Sequence, residues 1–324
     1  MKKTVWALLD DRMGSIGQAR GILGVLDDSY DIIEKKIVYN RWAKLPNCLK
    51  GASRLGMNRK ESSCLHAPWP DLILSISRRT TPIARWIKRQ SGGKSKIVQL
   101  MYPGKCGIND LDLVIVPEHD RKPERRGNLF YITGCAHRVS EQALAEARQK
   151  WTPVFASLPR PWTTVIIGGA IKDAPFSEEN ARALTAEIRR IYDQSGGSVL
   201  ITTSRRTGVA AERIIKDGLK DIPAYTYWWG EQKENPIMGF YACPERIIVT
   251  GDTVSMCSES CGSGKPVLIF CGKNWLRPKH LRFVRSLYDG GFACAADAPD
   301  ALSFKPRQRL DPARKIAAEI ARLF

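Results

Sequence analysis

The sequence predicts an α/β protein made of two doubly wound, Rossmann-like domains that face each other across a cleft. Short apolar runs rich in β-branched residues alternate with helical patterns along the chain. This alternation is typical of mainly parallel sheets covered by helices on both faces. The pattern stops once, in the proline-containing stretch 155–162, and then restarts. Because 324 residues can bury two cores of ordinary size, we interpret this stretch as a linker.

Residues 1–154 form the predicted N-terminal domain. Its predicted strands are 4–10, 35–40, 71–77, 96–100, 111–117 and 128–133. Helical patterns separate several of these strands, and the clearest helices are 81–90 and 140–151. Residues 41–70 are rich in Gly, Pro, Arg and Cys and follow neither period, so an irregular excursion is predicted there.

Residues 163–310 form the predicted C-terminal domain. Its predicted strands are 164–169, 198–204, 224–229, 246–252 and 266–270. Its predicted helices are 177–194, 209–219, 237–242, one that starts at about 255, and 277–288. A last helix over 311–324 begins with Asp311 as N-cap and Pro312 as its first residue. This helix can pack back on the N-terminal domain.

The composition excludes several classes of protein. With 43% hydrophobic and 26% charged residues, the chain is expected to fold as a soluble globular protein. No apolar run approaches the roughly 20 residues that span a bilayer, and the apolar start of the chain ends early at Asp10. Nine scattered cysteines without a CxxC pair indicate a reducing compartment and no structural zinc site. We therefore expect a cytoplasmic protein.

The net charge of +18 indicates a polyanionic partner. Nucleic acid, anionic lipid head groups and phosphorylated substrates all satisfy this charge. The basic residues are dispersed, and no zinc-finger, RRM or homeodomain pattern accompanies them. An anionic membrane surface and phosphate-bearing ligands are therefore favoured over nucleic acid.

Ligands of doubly wound sheets bind beyond the carboxyl ends of the strands, so polar residues there are candidate site residues. The first strand ends at Asp10 and Asp11, where a catalytic base would face the cleft; a turn or capping role is the alternative. The following glycines, Gly14 and Gly17, match neither the dinucleotide fingerprint nor a Walker A loop. They permit either close backbone approach to a ligand or tight helix packing.

Another strand of the first half is followed by His119 and Asp120. An imidazole at this position can transfer protons near neutral pH. The alternative is that both residues lie in a solvated loop and take no part in catalysis. The other three histidines are interpreted as structural or surface residues: His66, His137 and His280.

The segment Ser-Arg-Arg-Thr occurs once in each half, within 75–86 and within 202–214. In both copies a strand precedes it and a helix follows it. Thr80 and Thr207 are predicted to cap these helices, which alone could explain the recurrence. The repeated arginine pairs favour an anion site for at least one copy. The pairs are Arg78 with Arg79 and Arg205 with Arg206.

The stretch VTGDTVSMCSESCGSGKPVLIF, 249–270, gathers hydroxyl groups between two strands. Thr253, Ser255 and Ser258 are predicted near the positive N-terminus of a helix, with Glu259 on the same face as Ser255. Capping explains one hydroxyl but not the group, because the Ser255–Glu259 spacing is one residue too long for a capping box. A cradle for the phosphates and sugar of a nucleotide is the functional alternative. Gly168-Gly169, after strand 164–169, can bring backbone N–H groups against a phosphate.

Six blocks occur in an order that resembles a known family. They are LLDDRMGSIGQARGI, LDLVIVPEHD, VIIGG, TTSRRT, an Asn-Pro pair at 235–236 and VTGDTVSMCSESCGSGKPV. Together they resemble the mitochondrial-fission ("elongated mitochondria") family of plants and its bacterial relatives, from about residue 4 to 305. That family is similar to the two-domain GT-B glycosyltransferases, so the resemblance implies a GT-B-like fold with an acceptor-side first domain and a donor-side second domain.

The resemblance also implies that the nucleotide sugar is bound by residues of the second half. These are Gly168, Gly169, Ser204, Arg205, Arg206, Asp252, Thr253, Ser255, Ser258 and Glu259. From their positions near strand ends of the first half, we assign the acceptor side to Gly14, Gln18, Arg78, Arg79 and Asp120, and we expect Asp11 or His119 to deprotonate the acceptor hydroxyl. GT-B enzymes characteristically use no bound metal, so no metal and no cofactor are expected.

Three hypotheses follow. The first is a glycosyltransferase at the cytosolic face of the inner membrane that moves a sugar from a nucleotide sugar to a lipid-linked or envelope-glycan acceptor. The second is a membrane-associated adaptor without turnover, which is the role implied for the plant members. Nucleic-acid binding through the basic surface ranks last.

Overall fold

The computed structural model describes residues 2–123, 126–172 and 174–324. The described residues of the first half form six strands and three α-helices. In chain order these are β1 (Lys3–Leu9), α1 (Met13–Leu23), β2 (Tyr30–Lys36), α2 (Asn47–Lys50), β3 (Leu72–Ser75), α3 (Thr81–Gln90), β4 (Lys96–Leu100), β5 (Leu113–Pro117) and β6 (Leu129–Ile132).

Within the described ranges, the second half repeats the alternation with six more strands. Its elements are α4 (Glu141–Phe155), β7 (Trp162–Ile166), α5 (Glu178–Ser195), β8 (Ser198–Thr202), α6 (Val209–Gly218), β9 (Ala224–Tyr227), α7 (Ile237–Ala242), β10 (Arg246–Thr250), α8 (Val254–Gly262), β11 (Val267–Phe270), α9 (Pro278–Asp289), β12 (Cys294–Ala295) and α10 (Pro312–Ala321). None of the helices within the described ranges is long and apolar enough to cross a membrane.

Each half builds one six-stranded sheet whose neighbouring strands run parallel. The strand order is β2-β1-β3-β4-β5-β6 in the first sheet and β12-β11-β10-β7-β8-β9 in the second. Alternate residues of a strand enter different cores: Val165 packs on one face of β7 and Ile166 on the other. Both faces are therefore buried, as continuous apolar strands require. The prediction of doubly wound α/β units is confirmed.

The chain divides into two compact units, and the first boundary differs from the predicted one. One unit contains Met1–Arg138 with Asp311–Phe324, and the other contains Val139–Leu310. Helix α4 therefore belongs to the second unit and not to a domain that ends at 154. The reason is aromatic packing, because Phe155 lies 5.8 Å from Trp162 and 5.9 Å from Phe240 between ring centroids.

The closing helix α10 packs within the first unit. Its apolar residues Ile316 and Ile320 are buried in the same core as Ala19 and Ile22 of α1. Asp311 caps the helix by accepting a hydrogen bond from the Arg314 backbone N–H at 3.1 Å. A stripe of apolar residues four apart in sequence is thus buried on one face.

The second strand is misplaced by the sequence pattern. A strand over 35–40 was the expectation, whereas β2 covers Tyr30–Lys36 and pairs with β1 in the register Val5↔Ile32. Strand β2 lies at the edge of its sheet, and most of its residues are exposed. Charged side chains therefore interrupt its apolar pattern. The apolar Ile37, on which the predicted strand was centred, is buried just after β2 ends.

Candidate functional site

One buried carboxylate, that of Asp252, joins three loops at the carboxyl edge of the second sheet. Its side chain is 0% exposed and pairs with Arg206 at 2.9 Å. It accepts hydrogen bonds from the Gly169 N–H at 3.0 Å, from Thr250 Oγ1 at 2.7 Å and from Thr253 Oγ1 at 2.8 Å. The three loops follow β10, β7 and β8, which are neighbours in the sheet. A fully bonded buried carboxylate of this kind holds its surroundings rigidly.

The two glycines after β7 let this arrangement close. A Cβ on Gly168 would overlap with the Asp252 carboxylate, and one on Gly169 would overlap with the Arg206 backbone. Gly169 also has a φ of +143°, which favours glycine. The N–H of Gly168 donates to Thr250 Oγ1 and that of Gly169 to Asp252. The prediction that these N–H groups bind a phosphate is therefore wrong, since both already have protein acceptors.

The two Ser-Arg-Arg-Thr segments fold into the same turn. Thr80 Oγ1 accepts from the Ser77 N–H at 3.1 Å, and Thr207 Oγ1 accepts from the Ser204 N–H at 3.0 Å. Neither threonine caps its helix by a side-chain hydrogen bond, and the N-cap of α6 is Gly208. Thr80 does occupy the predicted N-cap position of α3, whereas the prediction of Thr207 as a cap is wrong; each hydroxyl closes its own turn.

Within each turn the two arginines have different surroundings. The second arginine is bound to acidic residues: Arg79 contacts Asp10 and Asp11, and Arg206 contacts Asp252. The first arginine, Arg78 or Arg205, is exposed and forms no ion pair with any residue of the described ranges. In each turn the guanidinium of the first arginine is therefore available to a ligand, while the guanidinium of the second arginine holds the turn in place.

Ser204 and Arg206 therefore have structural contacts. The Ser204 hydroxyl donates to the Gly168 carbonyl oxygen and accepts from the Arg206 N–H. Arg206 also donates to the Ala170 carbonyl at 2.7 Å and to Thr253 Oγ1 at 2.5 Å. Both residues shape the site, and Arg205 is the member of this segment that is open to a ligand.

Helix α8 begins directly beside Asp252 without a side-chain cap. Thr253 occupies the N-cap position, but its hydroxyl is bonded to Asp252 and Arg206. Ser255 and Glu259 lie partly exposed on α8, and Glu259 accepts a hydrogen bond from Tyr241 Oη at 2.8 Å. Ser258 is 0% exposed. Its predicted ligand contact is wrong, because it lies on the helix face that also buries Cys257 and Cys261.

The sequence interpretation missed His280 at this edge. His280 lies in the first turn of α9 and is half-buried near Asp252 and Arg206. Burial lowers its pKa below the usual histidine value, although the Asp252 charge opposes the shift. The imidazole is therefore mainly neutral at pH 7. Its position depends on how α9 packs after β11, which no local motif reveals.

In the first unit, Asp11 does lie at the carboxyl edge of the sheet. Asp10 is buried and accepts from Arg79 at 3.2 Å, while Asp11 is 67% exposed and also accepts from Arg79. The hydrogen bond from Arg79 lowers the pKa of Asp11. A lowered pKa makes Asp11 a weak general base at neutral pH.

Replacing Arg79 by Gln is expected to raise the pKa of Asp11, because the main cause of its lowering disappears. Carboxyl-carbon NMR titration of the full chain measures this change directly. Asp27 provides an internal control, since its pKa is lowered chiefly by Ser29 and not by Arg79. An unchanged pKa of Asp11 in the variant would contradict the ion pair between Asp11 and Arg79.

His119 and Asp11 do not meet. His119 follows β5, which is three strand positions from β1 in the sheet order, a separation of about 14 Å at normal strand spacing. The His119 side chain is 3% exposed, and its Nε2 lies 4.0 Å from Asp120 Oδ2. The prediction of His119 as a catalytic residue is wrong for this structure, because a buried imidazole cannot reach an acceptor hydroxyl.

The glycine-rich junction after β1 is helical. Gly14 and Gln18 lie on the first turns of α1. A Cβ on Gly14 or Gly17 would meet nothing within 4 Å, whereas one on Gly21 would overlap with the His137 backbone. Close packing therefore accounts for Gly21 alone, and the surface above Gly14 is open.

The chain resembles known proteins in sequence. A model of the mitochondrial fission ELM1 family matches residues 13–324. The chain belongs to the mitochondrial fission ELM1 family. A family member from Arabidopsis thaliana, the mitochondrial fission protein ELM1, is 29% identical, with 78% of this chain matched to 64% of the plant protein. An uncharacterised protein of Rickettsia prowazekii is 28% identical over 97% of this chain and 96% of its own length.

Several solved structures share the fold of this chain at low sequence identity. A UDP-GlcNAc 2-epimerase from Methanocaldococcus jannaschii has a TM-score of 0.58 at 12% identity, covering 98% of this chain and 99% of its own. A MurG from Acinetobacter baumannii has a TM-score of 0.51 at 12% identity, covering 99% of each chain. The UDP-GlcNAc 2-epimerase from Neisseria meningitidis, solved with UDP-GlcNAc, has a TM-score of 0.52 at 14% identity, covering 99% of this chain and 100% of its own. This ELM1-family chain therefore has the GT-B-like fold that its sequence predicts.

Proposed function

We propose that the protein is a metal-independent glycosyltransferase that takes its sugar from a nucleotide sugar bound at the carboxyl edge of the second sheet. The observation that carries this proposal is the exposed Arg205, which stands on a rigid turn beside the uncapped N-terminus of α8. An arginine fork and a helix N-terminus are both suited to a diphosphate. Proteins with the same fold that are named as UDP-GlcNAc epimerases or bound to UDP-GlcNAc support this ligand class.

In this proposal the diphosphate lies against α8 and Arg205, and Glu259 accepts hydrogen bonds from the ribose hydroxyls. The acceptor hydroxyl attacks the anomeric carbon, the bond from that carbon to the diphosphate breaks, and the diphosphate leaves with the electron pair. Arg205 and the helix N-terminus stabilise the departing charge in place of a metal ion. The acceptor hydroxyl releases its proton to water, because the lowered pKa of Asp11 makes that carboxylate a weak base.

The acceptor is proposed to be lipid-linked or an envelope glycan at the cytosolic face of a membrane. The net charge of +18 supports this location, because anionic lipids attract dispersed basic residues. The same charge favours a diphosphate-bearing donor in solution.

Calorimetry of the full chain with a panel of nucleotide sugars tests the proposal. Glu259→Ala is expected to weaken binding by about tenfold to a hundredfold, the loss of one or two charge-assisted hydrogen bonds. Tyr241→Phe is the matched control, because it removes the hydrogen bond between Tyr241 and Glu259 but keeps the carboxylate. If no nucleotide sugar binds the wild type, or if both variants bind equally well, the proposal fails.

A non-catalytic adaptor at a membrane is the second candidate function. The observation in its favour is the match to a plant protein named for mitochondrial fission, of which this chain spans less than two thirds. An adaptor keeps its cellular role when Glu259 is replaced by Ala, whereas a transferase loses it. Complementation of a deletion strain with this variant separates the two functions.

A further inference from the structure

Lys50, at the end of α2, is buried without a negative partner. It is 4% exposed, and its Nζ donates to the Ala43 carbonyl oxygen at 3.1 Å. It forms no ion pair with any residue in 2–123, 126–172 or 174–324. Lysine is almost never fully buried unless it is paired, since removing its charge from water costs several kcal/mol by order of magnitude. The position therefore calls for an explanation.

The charges that act on the Lys50 ammonium are positive. Burial lowers its pKa, and the charges of Arg78 and Arg79 lower it further. Asn47, on the same helix, donates to the Arg78 carbonyl at 3.1 Å and to the Pro103 carbonyl at 3.3 Å. These bonds hold α2 against the first Ser-Arg-Arg-Thr turn. The three cations are thus kept together by the fold.

The nearby carboxylates do not balance this group. Asp10 and Asp11 are both bound by the terminal Nη2 of Arg79. The buried Nε of Arg79 has no hydrogen-bond acceptor within the described part of the chain. Arg78 is exposed and unpaired among the same residues. Arg79 therefore has its counter-charges, whereas Lys50 and Arg78 have no ion-pair partner among the described residues.

We infer that Lys50 and Arg78 bind a phosphate-class anion at the carboxyl edge of the first sheet. A compact ammonium beside a planar guanidinium fork suits a phosphate or diphosphate, which has several acceptor oxygens and up to two or three charges. If the proposed function holds, this anion is the phosphate or diphosphate group of the acceptor, so the site names the acceptor's chemical class.

Calorimetry with inorganic pyrophosphate tests the site in the full chain. Arg205→Gln serves as the parent variant for this test, because it is expected to weaken diphosphate binding at the second sheet if the proposed function holds. In that parent variant Arg78→Gln and Lys50→Met are each expected to weaken pyrophosphate binding by about tenfold or more. Arg89→Gln, an exposed residue of α3, removes the same charge and is expected to change nothing. Binding that resists both substitutions overturns the inference.

The stability of Lys50→Met separates a binding role from a structural one. A lysine held for an anion is destabilising when the anion is absent, so the variant is expected to melt no lower than the unliganded parent. It should also lose the rise in melting temperature that pyrophosphate causes in the parent. A lower melting temperature together with unchanged pyrophosphate binding contradicts the inference.

Two vesicle preparations distinguish the sources of the anion. Phosphatidylcholine vesicles that carry a polyprenyl diphosphate represent a lipid-linked acceptor, and vesicles that carry phosphatidylglycerol represent the bilayer surface. If Arg78→Gln weakens binding to either vesicle preparation, the phosphate site is supported and the source of the anion is identified. If the variant binds both preparations as well as the parent does, the site is contradicted. Nucleotide-sugar binding and its dependence on Glu259 are measured separately, so each proposal can fail alone.

Discussion

Replacing Asp252 by Ala is expected to lower the free energy of unfolding by about 3 kcal/mol, because it strips partners from several buried groups at once. The Gly169 N–H and the Thr250 hydroxyl lose their acceptor inside the protein, and Arg206 loses its counter-charge. The loops after β7, β8 and β10 then lose their common anchor. We also expect nucleotide-sugar binding to disappear, since Arg205 and the start of α8 are positioned by these loops.

Urea unfolding followed by circular dichroism measures this loss. Asp289→Ala is the matched control, because that aspartate is 72% exposed and its pair with Arg285 spans 3.9 Å. Removing such a surface pair is expected to change stability by less than about 1 kcal/mol. Equal unfolding midpoints for the two variants would contradict the anchoring role of Asp252.

Replacing Arg205 by Ala is expected to reduce sugar transfer by about a hundredfold to a thousandfold, the usual effect of removing one donor that stabilises a leaving-group charge. Because Arg205 is exposed and forms no ion pair with the described residues, its melting temperature should stay close to that of the wild type. The loss should appear in kcat more than in KM if the contact strengthens as the diphosphate departs.

Steady-state kinetics with the donor identified by calorimetry tests this expectation. Arg213→Ala provides the control, since Arg213 is 84% exposed on α6 and pairs only loosely with Asp217 at 3.7 Å. Arg205→Lys is expected to recover part of the rate, because a point charge replaces the fork. Full activity of Arg205→Ala would remove Arg205 from the proposed mechanism.

Much of the secondary structure can be predicted from local patterns. Helix α3 and strand β4 have the predicted bounds, because strong periodicity and clear breakers surround both. The edge strand β2 could not be predicted in this way, since its residues face water and have no apolar period. Helix α4 was found but given to the wrong domain, because its partners Trp162 and Phe240 are distant in sequence.

The residues of the candidate site also fall into two groups: those that the sequence indicates and those that only the structure decides. The sequence indicates Arg205, Asp252 and Glu259, since all three follow strands of a predicted sheet. It cannot tell which polar atoms are already bonded inside the protein. Ser258 and His119 failed because helix rotation and loop packing bury them.

By itself the sequence determined the α/β class, the two repeats and the order of the family motifs, because these depend on residue periodicity and local turn chemistry. Only the tertiary structure decided that Arg206 is bound by Asp252 while Arg205 is exposed, and that Lys50 is buried without an ion pair to any described residue. Strand order and helix packing bring together residues that are distant along the chain. Burial and charge compensation therefore cannot be read from local sequence.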